Sequence, residues 1–136
     1  MNMAQADAHQ TRPNSADLRD AVVFDMDGTL TPVRQQIEDN MVKSLSRLSN
    51  VSDIGIVTGS GFDYLISQCD KLLLTNPGFD RSLIKLFPCN GTKYYRFNAT
   101  EADWQLVDEL DMMSHMGDMS FRSLIRSLIN LQGKVA

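Results

Sequence analysis

Cysteine is scarce: Cys69 and Cys89 are the only two in 136 residues. That is too few for the disulfide framework of a small secreted domain, and they read as two reduced, partly buried thiols of a cytosolic protein. Neither has a histidine close by in sequence. A long apolar run is also missing, so no bilayer-spanning segment is expected. Charge of one sign is barely in excess, at a formal −4, which gives no reason to expect nucleic acid or an acidic membrane surface as a partner. The expected partner is small. The first residues are polar, rich in Ala, Asn, Gln and Ser, and lack the apolar centre of a secretory signal. Asp7 and Arg12 are too sparse and mixed for a transit peptide and His9 reads as solvated, so residues 1–18 are expected to be a disordered tail. With 43% hydrophobic and 22% charged residues, the remainder can bury one core.

The run Ala21-Val22-Val23-Phe24-Asp25-Met26-Asp27-Gly28-Thr29-Leu30-Thr31 places two carboxylates two residues apart where an apolar strand ends. Strand side chains alternate, so Asp25 and Asp27 are expected to project the same way. The continuous apolar stretch before them predicts a strand buried under helices, as in a parallel sheet. Gly28 and Thr29 break the strand and start a loop. Open α/β sheets bind ligands outside the carboxyl ends of their strands, where this pair lands. Two close carboxylates also attract a divalent cation, which relieves their repulsion and orients a phosphate. An EF-hand loop shares Asp-x-Asp and Gly, but it needs a further Asp or Asn before its Gly and a closing Glu, and it does not follow a strand.

Ile37, Met41, Leu45 and Leu48 recur at helical spacing with Val42 beside them, predicting a helix over Glu38 to Leu48. Ile54-Gly55-Ile56-Val57 reads as the next parallel strand, ending at Thr58-Gly59-Ser60-Gly61. Ser60 is expected to cap a helix whose apolar face is Phe62, Leu65, Ile66 and Cys69, with Asp63 completing a near capping box. Lys93 to Phe97, after the Asn90-Gly91 turn, predicts a hairpin strand. Phe121, Leu124, Ile125, Leu128 and Ile129 form a helical stripe opened by Asp118 or Ser120, and such a stripe is usually core. Met112, Met113, Met116 and Met119 read as flexible packing rather than a soft-metal site, and His115 alone is a poor ligand.

The complete Asp25-Met26-Asp27-Gly28-Thr29 match behind an apolar strand resembles the first motif of the haloacid dehalogenase superfamily. The resemblance implies a Rossmann-like α/β core with a parallel sheet. It also implies phosphoryl transfer through an aspartyl phosphate, with Asp25 as nucleophile, Asp27 as general acid and base, and Mg2+ held by the Asp25 carboxylate and the Asp27 carbonyl. The superfamily's second motif is a Thr or Ser that hydrogen-bonds the phosphoryl group, and Thr58 and Ser60 are both candidates, helped by backbone donors at a helix start. The likeness narrows to the eukaryotic-type phosphomannomutases, whose first motif runs on to an Arg matching Arg34, implied to bind the phosphosugar. Thr58-Gly59-Ser60-Gly61-Phe62 departs at two positions from that family's Gly-Gly-Ser-Asp-Phe, and Pro88-Cys89-Asn90-Gly91 carries Cys89 where the family has Glu. Ser114 to Asp118 resembles the opening of the family's cap.

The resemblance divides the chain into a tail at 1–18, the N-terminal part of the core at 19–98, and a linker with the start of an α/β cap at 99–136. No third-motif cation or fourth-motif acidic cluster follows, and Lys134 takes neither role. The sequence therefore reads as truncated, the 136-residue chain alone as inactive, and a homodimer through the cap as possible only for a complete protein. Three functional readings stay open. The first is a cytoplasmic phosphomannomutase that interconverts mannose 6-phosphate and mannose 1-phosphate for GDP-mannose synthesis, favoured by Arg34 and the Pro88 to Gly91 run. The second is a magnesium-dependent sugar phosphatase, which Thr58 in place of Gly fits better. The third is a noncatalytic remnant.

Overall fold

The computed structural model describes residues 19–135; the tail expected at 1–18, with Asp7, His9 and Arg12, lies outside them. The chain runs β1 (Ala21–Asp25), α1 (Asp39–Leu48), β2 (Asp53–Val57), α2 (Phe62–Gln68), α3 (Asp70–Leu73), β3 (Ile84–Phe87), β4 (Lys93–Asn98), β5 (Asp103–Glu109), α4 (Met112–Met116) and α5 (Asp118–Val135). One five-stranded sheet has the order β1-β2-β3-β4-β5. The first three strands are parallel, with Val22 beside Ile54 and Ile54 beside Ile84, and β4 and β5 then add on antiparallel. The expected helix at 38–48 is α1, and the expected hairpin strand at 93–97 is β4.

Register decides which side chains form the core. Val22 and Phe24, Ile54 and Ile56, and Ile84 and Leu86 share one face of the sheet. Leu45 of α1, Leu65 of α2, Cys69, and Leu72 and Leu73 of α3 join that face in one buried cluster. The Phe62 ring stacks on Tyr95, 4.2 Å between centroids, and carries α2 across to β4.

The other face departs from expectation. β1 was expected to be covered on both sides, but among the described residues it is an edge strand whose exposure alternates, and Val23 is 59% exposed. An unbroken apolar run does not distinguish two-sided cover from one-sided cover; the neighbours decide, and here helices α1 to α3 bring their buried residues to one face. On the open face, Gly55 lets Val23 and Phe87 close over β2: a Cβ at residue 55 would lie 3.0 Å from Val23 Cγ2 and 3.5 Å from Phe87 Cε2.

Within the stretch expected as linker and cap start, β5 pairs with β4 along Asp103–Asn98 to Glu109–Lys93, with a bulge at Tyr94/Tyr95. Trp104 anchors it, edge-on to Phe97 at 5.4 Å. The stripe from Phe121 to Ile129 is helical as expected, but it is not core: no residue of α5 is buried, and Leu128 and Ile129 are exposed. Met112, Met113, Met116 and Met119 are likewise exposed.

These two faces predict opposite costs. Ile56→Ala should lower unfolding free energy by about 2–5 kcal/mol through lost burial and a residual cavity, whereas Val23→Ala should cost less than about 1 kcal/mol. Urea denaturation of both variants measures the difference, and equal costs would contradict one-sided packing.

Candidate active site

The end of β1 is shaped by one backbone carbonyl. Met26 N–H continues the ladder to Val57 C=O at 3.2 Å, and the Met26 side chain is fully buried. Its carbonyl then accepts from the N–H groups of Thr29, Leu30 and Thr31 at 3.2, 2.9 and 3.0 Å, and from Thr31 Oγ1 at 3.3 Å. Gly28, at φ +78°, donates to the Thr31 carbonyl at 2.7 Å; that left-handed backbone suits glycine. Leu30 and Thr31 are buried, so the loop is fastened to the core from beneath. With Met26 turned inward, Asp25 and Asp27 are turned outward, exposed and half-buried respectively, at the carboxyl end of the strand.

Asp27 Oδ1 is held from two sides. The Arg34 backbone N–H donates to it at 3.4 Å and the Tyr64 hydroxyl at 3.3 Å. Arg34 therefore reaches the carboxylate through its main chain, in a left-handed conformation (φ 56°), while its side chain is exposed. Tyr64 was missed by sequence reasoning, which traced the neighbouring apolar face of α2. The contact joins residues 37 apart and leaves no local pattern to read. Burial raises the Tyr64 phenol above its ordinary pKa, and the Asp27 charge adds to this. Burial also pushes the Cys69 thiol up to about 12, again with help from Asp27.

The second expected motif leaves β2 beside this loop. Val57 is the register partner of Asp25, and Thr58 follows it, buried. Thr58 N–H donates to Phe87 C=O at 3.2 Å, and its Oγ1 accepts from Ser60 N–H at 3.2 Å. The hydroxyl proton is thereby left to donate elsewhere. Ser60 is half-buried in the same turn, but it does not cap α2. The N-cap is Gly61, which has no side chain to make a cap bond, and Ser60 C=O instead accepts from Cys89 N–H at 2.8 Å.

The β3–β4 loop packs against this turn. Asn90 N–H donates to Thr58 C=O at 2.8 Å, and Cys89, Asn90 and Gly91 are all left-handed, at φ 54°, 57° and 78°. Gly59 makes room for Asn90, whose Oδ1 would lie 3.0 Å from a Cβ there. The structure thus gathers Asp25, Asp27, Thr58, Ser60 and the Arg34 backbone at the carboxyl ends of β1 and β2.

For a metal, Asp25 and Asp27 offer hard carboxylate oxygens, and the Asp27 carbonyl accepts no backbone hydrogen bond among the described residues. Such donors suit a small hard cation that keeps much of its water. Among the described residues no group of three or more His, Cys, Asp or Glu gathers into a closed metal cage.

No family model matches the chain. Solved structures carry the fold: ATP-bound IMP-nucleotidase of Plasmodium falciparum superposes with a TM-score of 0.56 over 84% of this chain and 32% of that one, at 18% identity. An N-terminally truncated, IMP-bound form gives 0.56 at 17% identity over 82% of this chain and 35% of that one. The fold is that of the haloacid dehalogenase superfamily. Within it, the sequence is similar to the phosphomannomutases: 31% identical to mouse phosphomannomutase 1 over 108 residues, 79% of this chain and 36% of that protein. The Saccharomyces cerevisiae phosphomannomutase is 35% identical over 65% of this chain and 33% of its own length. The chain thus spans about a third of the curated relatives it matches. No helix among the described residues is long and apolar enough to cross a membrane.

The two thiols should respond differently to pH and reagent. An unfolded Cys69 thiol ionises near 9.0 but the folded one only near 12, so between these values the unfolded chain loses its proton first and is favoured. Folding stability, followed by denaturant titration, should be unaffected by this group below pH 9 and fall as pH rises towards 12. Cys69→Ala should flatten the fall. In the native chain at pH 8, half-buried Cys89 should react with a thiol reagent while buried Cys69 waits for unfolding.

Proposed function

We propose that the chain carries the nucleophile and acid–base part of a magnesium-dependent phosphoryl-transfer site of the phosphomannomutase kind, acting on hexose phosphates in the cytoplasm. The observation that carries this reading is the outward-facing Asp25 and Asp27 pair at the carboxyl end of β1, with Thr58 just past the end of neighbouring β2. Similarity to phosphomannomutases over 79% of the chain supports it. Mannose 6-phosphate and mannose 1-phosphate, the latter for GDP-mannose synthesis, are the substrate pair this reading selects.

In the first half-reaction, an Asp25 carboxylate oxygen attacks the phosphorus of a hexose bisphosphate. The phosphorus–oxygen bond to the sugar breaks, and the departing sugar oxygen takes a proton from Asp27. In the second, a hydroxyl of the hexose monophosphate attacks the phosphoryl group on Asp25, gives its proton to Asp27 and frees the carboxylate. Thr58 Oγ1 donates a hydrogen bond to a phosphoryl oxygen, and Ser60 lies in the same turn. The exposed Arg34 guanidinium, on the loop whose main chain reaches Asp27, binds the remote phosphate or sugar hydroxyls. The Asp25 carboxylate and the Asp27 carbonyl would hold magnesium, which would supply charge neutralisation at the phosphoryl group when bound.

The second reading, a phosphatase in which water discharges Asp25, is favoured by Thr58 in place of the mutase family's Gly and by the fold shared with IMP-nucleotidases.

Assays with mannose 6-phosphate, a hexose bisphosphate and magnesium separate the two readings: mannose 1-phosphate marks the mutase and inorganic phosphate the phosphatase. Wherever turnover is measured, Asp25→Asn should abolish it, and Asp27→Asn should slow it by about 10²–10⁴-fold. Near-normal turnover in Asp27→Asn would sink the role assignment. Arg34→Ala should impair hexose phosphate use more than hydrolysis of a small aryl phosphate, because only the sugar uses contacts remote from phosphorus. Equal losses would remove Arg34 from the substrate site.

A further inference from the structure

We propose that Tyr64 is a positioning residue for Asp27, its hydroxyl fixing one carboxylate oxygen so that the other is left to carry the proton; the proposal rests on the acid–base role given to Asp27 above. The geometry is specific to one oxygen. Tyr64 Oη and the Arg34 N–H both donate to Asp27 Oδ1, at 3.3 and 3.4 Å, while Oδ2 has no donor among the described residues. A carboxylate pinned through one oxygen keeps its plane and presents the second at a constant place.

Tyr64 itself is well held. Its ring is half-buried against the core cluster, and Leu65 and Cys69 of the same helical stretch are fully buried beneath it. The loop that starts at Asp27 is tied to α2 a second time one helical turn further on, where Ile37 N–H donates to Gln68 C=O at 2.8 Å, with Ile37 fully buried. Two anchors on residues 64 and 68 therefore fasten the first-motif loop to the helix that follows the second motif. Only the anchor at Tyr64 touches a reacting group.

The chemistry provides a readout that general loosening of the fold does not mimic. When acetyl phosphate loads Asp25, the bond from phosphorus to the acetate oxygen breaks and acetate leaves as a stable anion that needs no proton. When the phosphoryl group moves from Asp25 to water or a sugar hydroxyl, the attacking oxygen must give up a proton to Asp27. Tyr64→Phe keeps the ring and deletes the donor. It should load from acetyl phosphate and magnesium as fast as the parent, yet discharge about tenfold or more slowly, as small displacements of catalytic groups do.

The test follows loading and discharge of the 136-residue chain by phosphate-affinity electrophoresis for the parent, Tyr64→Phe and Asp25→Asn. In parallel, the 13C carboxyl resonance of Asp27 is recorded in the parent and in Tyr64→Phe. Unchanged loading with slowed discharge and a shifted Asp27 resonance is the expected result. Equal discharge rates, or equal slowing of both steps, overturn the proposal. If the parent takes no phosphoryl group on Asp25, the isolated chain lacks the loading step, as expected of part of a site, and the resonance decides: a shift in Tyr64→Phe retains the Tyr64 contact, and an unmoved signal overturns the proposal.

Discussion

The Met26 carbonyl is the interaction on which the site depends. A strand that ends in two carboxylates has no reason to hold them still, since they repel one another and water solvates both. Here the residue between them is buried, and its carbonyl collects three N–H donors and one hydroxyl from the next five residues. Each such bond contributes roughly 1 kcal/mol net, and together they are a sizeable share of the 5–15 kcal/mol by which a domain of this size is stable. The turn is therefore fastened to the buried residue that separates the two carboxylates. Asp25 and Asp27 flank that residue, and Asp27 adds its own bonds from Arg34 N–H and the Tyr64 hydroxyl.

From this turn the constraint passes outward through backbone rather than through ion pairs. The main chain of Arg34 and the hydroxyl of Tyr64 reach Asp27. Beyond the Thr58 to Gly61 turn, the left-handed tip of the β3–β4 loop is stitched back through Cys89 and Asn90. The clear ion pairs lie elsewhere: Asp53, at the start of β2, is bracketed by Arg19 and Lys85 at the opposite end of the strand from the site. None of the ion pairs among the described residues uses Asp25 or Asp27.

What could be read from the residues alone follows the range of each interaction. The β1 and β2 runs, α1 and the hairpin strand after Asn90-Gly91 are set by short-range patterning, and their expected positions agree with the structure to within a residue or so. The Asp25 to Thr29 motif, for which phosphoryl transfer is proposed, is equally local. The exposure of Val23 depends on which faces the helices choose. β5 was unreadable because Asp103–Glu109 alternates poorly and is stabilised by the Trp104 contact with Phe97. Gly61 took the cap position expected for Ser60, whose carbonyl meets Cys89 of a distant loop, and Tyr64 met Asp27 only through the fold.

Arg34 shows how function and local stability pull apart at this site. A non-glycine residue in the left-handed region costs roughly 1 kcal/mol or more, and the backbone at φ 56° would accept glycine with less strain. Glycine would keep the N–H that reaches Asp27 and lose only the guanidinium. The stability argument therefore favours glycine at this position, and the contact with Asp27 is indifferent to the choice. What arginine alone supplies is an exposed planar cation within a loop fastened to the proposed acid–base residue. A side chain that the fold does not need at this position is consistent with the substrate contact proposed for Arg34 above.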